Sequence, residues 1–278
     1  MSSYENYSRT SLDYDQTRAA VGLEIISGCL SEADLKLPHS RILDAGCGSG
    51  NYTQALLSRV GSVVGVDLNP GMLAQARAKL AVAISTGCVE LLKGNLSQLP
   101  LLSSSVDGAV MNQVLHHFPD TRQQGWPLRR QVFAELARVI RPGGVLVLNT
   151  CTPAQLRNGW WYAALIPQAF TCMIERHLQP QEIQQLFAET GFDYQSCWVP
   201  VDVLMQGSHY FDSHGPERVS WRNGDSVWAQ LSETQLQQAL LRLQDLHRSG
   251  GIHDLIDQSE KQRQHLGQLS FFYGIRKR

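Results

Sequence analysis

The chain has 278 residues, 43% hydrophobic and 18% charged, a composition suited to one large globular domain and not to a disordered or fibrous chain. A formal net charge of −1 supplies no basic field for nucleic acid or an anionic membrane. No apolar run spans a bilayer, the first residues lack the apolar core of a secretion signal, and six scattered cysteines without a C-x-x-C pair read as free thiols, so a cytoplasmic location is expected.

Residues 1–14 are polar and carry Tyr4, Tyr7 and Tyr14. Asp15 can cap a helix in which Ala19, Leu23, Ile26 and Leu30 recur at helical spacing, giving an N-terminal cap helix within residues 1–30. Residues 41–45 read as a first strand, 51–59 as a short helix, and 63–67 as a second buried strand. Asn69 and Pro70 then open a helix with Leu73, Ala76 and Leu80 on its apolar face. Strands at 89–92 and 106–111, a helix from about 127 to 140 and a strand at 145–150 follow. Strands alternating with helices at these intervals predict a doubly wound, mostly parallel α/β sheet. In such sheets ligands bind beyond the carboxyl ends of the strands, where Asp44, Asp67, Asn95 and Asn112 fall. Further on, Pro180 starts a helix that ends at Gly191, and strands are expected at 194–204 and 268–276. Two stretches interrupt this order. Residues 151–179 are aromatic, and 205–267 hold a polar, aromatic loop and then a helix with a Ser232/Gln235 capping box.

The most specific signal is Leu43-Asp44-Ala45-Gly46-Cys47-Gly48-Ser49-Gly50, a strand, a glycine turn and a helix start. Glycines there let a backbone approach a ligand that a side chain would block. A dinucleotide fold uses G-x-G-x-x-G with a pyrophosphate on the helix N-terminus. Here the third glycine comes one residue early, and Asp44 would repel a pyrophosphate. The same carboxylate suits an amine or a sulfonium. A plain structural turn between strand and helix is the simplest alternative.

These residues resemble motif I of the class I S-adenosylmethionine (SAM)-dependent methyltransferases. The resemblance runs over roughly residues 15–150, with 180–204 and 268–276. It implies a seven-stranded sheet with helices on both faces and an antiparallel last strand. It also implies one domain over residues 1–278, with 151–179 and 205–267 as substrate-lid insertions. Asp44, Gly46, Cys47, Gly48 and Gly50 would form the cofactor loop. Asp67 would accept from the ribose hydroxyls, with Leu68 and Met72 beside it. Lys93-Gly94-Asn95-Leu96 resembles the adenine-contact segment, with Asn95 where the family usually carries Asp and Leu96 next to it. Asn112 and Gln113 would lie under the methionine part. In similar enzymes an N-terminal helix closes over the cofactor, so Arg18 could pair with its carboxylate and Tyr14 pack on its chain; a solvated helix face is the alternative.

The methyl acceptor is expected to be a small molecule. The segment after the fourth strand, Asn112-Gln113-Val114-Leu115, lacks the Asn/Asp-Pro-Pro-Tyr/Phe and Pro-Cys signatures of DNA methyltransferases. Trp160, Trp161, Tyr162 and Trp221 could wall an acceptor pocket or form the insertions' own core. His116 and His117 are the candidate catalytic bases, with a structural role as the alternative. No metal site is expected, and nothing in the chain fixes its oligomeric state. Arsenite methylation by Cys151, Cys172 and Cys197, an NAD(P)-dependent oxidoreductase, and a non-catalytic SAM-binding protein remain alternatives.

Overall fold

A computed structural model describes residues 19–33 and 35–278. In chain order, α1 (Leu23–Ser31) leads into β1 (Arg41–Ala45), α2 (Asn51–Leu56), β2 (Ser62–Asp67), α3 (Pro70–Lys79), α4 (Ala81–Ser85) and β3 (Val89–Lys93). Then come β4 (Val106–Asn112), α5 (Pro127–Val139), β5 (Ile140–Thr150), α6 (Pro153–Asn158), α7 (Pro167–Arg176), α8 (Pro180–Glu189) and β6 (Phe192–Trp198). The last elements are α9 (Val219–Asn223), α10 (Glu233–Ser249), α11 (Gly251–Leu266) and β7 (Ser270–Arg276). The strands form one seven-stranded sheet in the order β3-β2-β1-β4-β5-β7-β6. Strands β1 to β5 pair in parallel, as the alternation of strands and helices predicts, and β7 runs antiparallel to β5 and β6, as the family resemblance implies. The chain winds outward from β1 in one direction and from β4 in the other, so a crevice opens between their carboxyl ends.

Alternation along the strands sorts the core into two layers. Ile42, Val63, Val110 and Val145 share a buried cluster with Ile26 and Leu30 of α1 and Leu56 of α2. Leu43, Val64, Ala109 and Leu146 face the other way, onto Val132 and Phe133 of α5 and Ile183 and Phe187 of α8. Each such aliphatic residue contributes about 1.5–3 kcal/mol by leaving water, so both faces of the central strands must be covered.

The two insertions pack on each other at the end of the sheet that carries the strand tips. Gln155 of α6 donates from Nε2 to the carbonyls of Leu266 and Leu269, each at 3.0 Å. Trp161 donates from its indole nitrogen to the Tyr210 carbonyl at 2.7 Å, and Gln268 to the Gly159 carbonyl at 2.9 Å. Trp161, Tyr162, Tyr210 and Trp221 are almost fully buried and belong to the same apolar cluster as β5 and α1. Ser232 and Gln235 form the expected capping box at the start of α10.

Three expected boundaries move. The N-terminal helix starts at Leu23 and not before Ala19, because Gly22 sits in the left-handed region at φ 72° and breaks the helical path. A Cβ at Gly22 would also lie 2.3 Å from the Phe271 ring. Strand β6 spans 192–198 and stops before Pro200, short of the 194–204 expected. Strand β5 starts at Ile140, opposite Val106, before the glycine turn expected to precede it. Asp15, with the first turn expected of the N-terminal helix, lies outside the described residues.

Candidate active site

The glycine loop leaves β1 at Ala45 and enters α2 at Asn51. Gly46, Gly48 and Gly50 all take positive φ, at 82°, 54° and 85°. At Gly46 a Cβ would lie 2.5 Å from Val114 Cγ2, whereas at Gly48 it would meet nothing within 4 Å and would project into open space. Gly46 therefore lets the loop pack on the β4 side, and Gly48 leaves room for a ligand. Four of the loop's N–H groups are already used. Gly46 and Cys47 donate to the Val66 carbonyl at 2.8 and 3.1 Å, and Gly50 donates to Cys47 at 2.9 Å. Gly48 donates to Asp67 Oδ2 at 2.9 Å. Four turned-in amides make a poor cradle for a pyrophosphate, which needs N–H groups aimed outward.

What the loop presents instead is carboxylate. Asp44 is 1% exposed and accepts from Thr53 Oγ1 at 2.6 Å. Burial pushes its pKa up to about 6 against the pull of that hydrogen bond, and the neighbouring Asp67 charge pushes the same way. Asp67, at the end of β2, takes one backbone N–H on each oxygen, from Gly48 and from Asn69 (2.8 Å). Each oxygen keeps a lone pair. Burial raises its pKa as well. Cys47 packs beneath the loop, its thiol pushed up by burial.

Asp44, Gly46, Cys47 and Gly48 line a cavity together with Asn112, Gln113, His116 and His117 from the tip of β4 and the turn after it. Asn112 Nδ2 and Oδ1 are buried with no hydrogen-bond partner among the described residues. A polar side chain in that condition costs free energy until a ligand satisfies it. Gln113 is held in the left-handed region, φ 54°, by its N–H bond to the Asn149 carbonyl at 2.8 Å. Its side chain belongs to a chain of hydrogen bonds across the crevice. Gln113 Nε2 donates to Asn149 Oδ1 (3.2 Å), Asn149 Nδ2 donates to the Tyr52 hydroxyl (3.1 Å), and Tyr52 donates to the Val21 carbonyl (3.1 Å). Cys151 adds a thiol contact to Gln113 Oε1 at 3.6 Å.

His116 and His117 have a third partner that the sequence does not reveal. His177, just past α7 in the first insertion, stacks on His116 with ring centres 5.0 Å apart and lines the same cavity. Its Nδ1 lies 2.7 Å from the Met173 carbonyl, which can only accept, so Nδ1 carries the proton and Nε2 keeps its lone pair. Burial pushes His117 down to about 3 and His177 to about 4, so both are neutral near pH 7.

The other residues named from the sequence separate into groups. Gly50, Asp67, Leu68, Met72, Asn95 and Leu96 lie outside this cavity, on the loop, at or just past the ends of β2 and β3 and, for Met72, in α3. Asn95 is exposed, and its Oδ1 already accepts from Ser97 at 3.0 Å, so one lone pair is left. Trp160 lines the cavity beside Phe170, but Trp161, Tyr162 and Trp221 do not. They stack in the core of the insertions, with Tyr162 5.3 Å from Trp221, which corrects their assignment as an acceptor wall. Large aromatic faces bury best against one another. Cys151 reaches the cavity, while Cys172 is exposed on α7 and Cys197 is half-buried on β6, so the three sit on different elements. Tyr14 and Arg18 lie outside the described residues. Asn149, Tyr52 and Asp225 join the cavity wall unannounced. Asn149 alone had a signal, as a polar residue near the end of a strand on the same rim.

Residues 43–148 match the family described as a methyltransferase domain. An uncharacterized methyltransferase of Mycobacterium tuberculosis is 30% identical over 133 residues, 48% of this chain and 61% of that protein. An O-methyltransferase of Aspergillus sclerotiorum is 30% identical over 158 residues, 54% of each chain. A demethylmenaquinone methyltransferase of Bacillus cereus is 34% identical over 129 residues, 44% of this chain and 51% of the other. The chain thus spans between about half and three-fifths of the length of these curated relatives. Among solved structures, a candidate methyltransferase from an antibiotic biosynthesis pathway of Anabaena variabilis superposes with a TM-score of 0.72. It is 22% identical, and the match covers 94% of this chain and 99% of that one. A candidate sarcosine dimethylglycine methyltransferase of Galdieria sulphuraria gives 0.54 at 15% identity, covering 92% and 84%. At these identities the two structures speak to the fold.

Proposed function

We propose, from the match of residues 43–148 to the methyltransferase-domain family, that the chain is a class I SAM-dependent methyltransferase and moves the SAM methyl group to an O, N or S nucleophile of a small molecule by in-line displacement. The observation that carries this reading is the buried Asp44 carboxylate on the cavity wall, beside a glycine loop in which the N–H groups of Gly46, Cys47, Gly48 and Gly50 are turned inward. That donor set suits a cationic, phosphate-free cofactor and leaves little for a dinucleotide.

The residues present fit SAM. Asp44 would face its cationic groups, Asn112 would satisfy its orphaned amide on the methionine part, and Gly48 would admit the chain. Asp67 would use its two remaining lone pairs on the ribose, with Leu68, Met72, Asn95 and Leu96 around the adenine. When bound, SAM supplies a methyl carbon activated by a sulfonium leaving group. The chain's own contribution is alignment and exclusion of water, which can supply several orders of magnitude in rate. With the cofactor bound, the nucleophile's lone pair would form the new bond to the methyl carbon as the carbon–sulfur pair left with sulfur. The nucleophile's proton is then lost. His116 and His117 stand where a neutral imidazole could orient that group or take the proton. With His117 near 3, complete protonation at pH 7 costs about 5 kcal/mol. A hydrogen-bonding role that strengthens as the proton is released fits it better than a free-standing base.

Titration calorimetry with SAM, S-adenosylhomocysteine and NADH tests the cofactor. Binding of both sulfur compounds is expected, and binding of NADH without them overturns the reading. Turnover is then sought by offering small nucleophiles with methyl-labelled SAM. His116→Ala and His117→Ala are expected to lower turnover, by about 100-fold if either acts on the proton, with SAM affinity nearly kept. Unimpaired turnover in both variants removes the histidines from the chemistry.

A further inference from the structure

We infer that His177, at the end of α7 in the first insertion, takes the proton of the methyl acceptor, and that this acceptor is an apolar molecule with a hydroxyl group. The inference rests on the methyl-transfer reading of the cavity and names the nucleophile and the group that receives its proton.

Phe170, Met173 and His177 stand three and four positions apart along α7 and its last turn, so they share one face of that helix. Each is 3% exposed, and all three line the cavity. That face is an apolar strip ending in one imidazole. The imidazole is fixed from three sides. Its Nδ1 donates to the Met173 carbonyl at 2.7 Å. Its ring lies nearly parallel to that of His116, with 14° between the planes and centres 5.0 Å apart. Its own carbonyl accepts from Arg122 Nη2 at 3.2 Å. The Nδ1 edge is turned back into the helix, so the edge that carries Nε2 is the one left to the cavity. A lone pair held there accepts from a hydrogen-bond donor. An apolar molecule laid on Phe170 and Met173, with its hydroxyl toward His177, uses both halves of the strip.

The proton balance selects oxygen. With the cofactor bound, an oxygen lone pair would form the bond to the methyl carbon, the carbon–sulfur pair would stay with sulfur, and the hydroxyl proton would pass to Nε2. Burial holds His177 down to about 4 against the pull of the Met173 hydrogen bond, and the charges of Arg129 and Arg176 act in the same direction as burial. Such a ring is a poor base toward a free alcohol. An oxygen that has gained a methyl group and still holds its hydrogen is a far stronger acid than an imidazolium, so transfer to Nε2 runs downhill as the new bond forms. An alkylammonium keeps its proton to about pH 10 and would not give it to this ring. At pH 7 the imidazolium then loses the proton to water, and His177 is neutral again.

Binding to the S-adenosylhomocysteine-loaded protein tests the contact without turnover. The probes are 2-naphthol, 4-phenylphenol and 1-decanol, each beside its methyl ether. At least one hydroxyl compound is expected to bind about tenfold tighter than its ether. His177→Ala should erase that difference while the affinity for S-adenosylhomocysteine stays within about twofold. With nitrogen-labelled histidine, magnetic resonance should find Nε2 of His177 unprotonated and shifted when the hydroxyl compound binds. The same compound, offered with methyl-labelled SAM, should be methylated on oxygen. His177→Gln, which keeps the reach of the side chain and cannot take the proton, should lower kcat about 100-fold with S-adenosylhomocysteine affinity kept, and guards against a misfolded Ala variant. The inference is overturned if no hydroxyl compound binds or is methylated, if the preference survives His177→Ala, if Nε2 carries the proton, or if kcat in His177→Gln matches the wild type. A fall in S-adenosylhomocysteine affinity in both variants overturns it too, by placing His177 on the cofactor side. If S-adenosylhomocysteine fails to bind the wild type, the methyl-transfer reading itself falls, and this inference with it.

Discussion

Replacing Asp44 by Asn is expected to weaken SAM binding by about 30- to 150-fold, the size of one lost charge-assisted contact of about 2–3 kcal/mol. The same change should make the cofactor-free protein more stable at pH 7.5. Asp44 titrates at about 6 in the folded chain against an ordinary 3.8. Below pH 3.8 the group is protonated in both states and costs nothing. As pH rises through 6 the folded carboxylate ionises against its burial, and the cost grows to about 3 kcal/mol. Asn keeps an oxygen for the Thr53 hydroxyl and carries no charge, so part of that cost is recovered. Urea midpoints should therefore rise in the variant at pH 7.5 and converge with the wild type toward pH 4.

Cofactor affinity should follow the same group with the opposite sign. The ionised carboxylate binds the cation, so wild-type affinity is full above pH 6 and falls by up to about tenfold per unit below it. Between pH 5 and 7 the ligand's amino group keeps its proton. His117 and His177, near 3 and 4, stay neutral in that window. The Asn variant should be flat, apart from any slope contributed by Asp67. A variant that folds, gains stability and still binds SAM as the wild type does would remove Asp44 from the cofactor site.

The cofactor half was legible because it is local. Asp44, the glycines and Thr53 lie within ten residues of one another, and the loop's conformation is written in residues that tolerate positive φ. The rim could be assembled from strand ends alone, since parallel strands of one sheet align their carboxyl ends. The acceptor half is built differently. His177 meets His116, Asp225 meets Tyr162, and Gln155 meets Leu269 across 61, 63 and 114 positions of chain. No periodicity encodes such contacts. The tryptophans misled for the same reason: composition cannot tell an aromatic residue that lines a cavity from one that fills a core. Asp225 went unnoticed because a lone carboxylate in a polar loop reads as solvated until its burial is known.

Removing the buried cation of Arg129 should cost the chain's frame several kcal/mol of stability. Its side chain is fully buried, 4.2 Å above the Trp126 ring, and it pairs with Asp120, whose side chain is 5% exposed. Asp120 uses its other oxygen to cap the start of α5, accepting from Leu128 at 2.9 Å and Arg129 at 3.0 Å. Arg129→Met keeps much of the volume and strands that carboxylate without its counter-charge. About 3–5 kcal/mol of stability should go with it, seen as a lower urea midpoint at unchanged slope. An additional Asp120→Asn should restore a large part, because the stranded charge is gone; no recovery would mean that packing, not charge, was lost. An unchanged midpoint in Arg129→Met would refute the account outright. The pair also reaches the site. Arg129 Nη2 donates to the Arg176 carbonyl at 2.9 Å, and Arg122 Nη2 to the His177 carbonyl at 3.2 Å. These two bonds tie the end of α7 to the first turn of α5 and to the connection before it, and so fix His177 against His116. Amide exchange over residues 167–179 should therefore quicken in Arg129→Met more than exchange in β1 or β4. Equal acceleration everywhere would reduce Arg129 to a general contributor to stability.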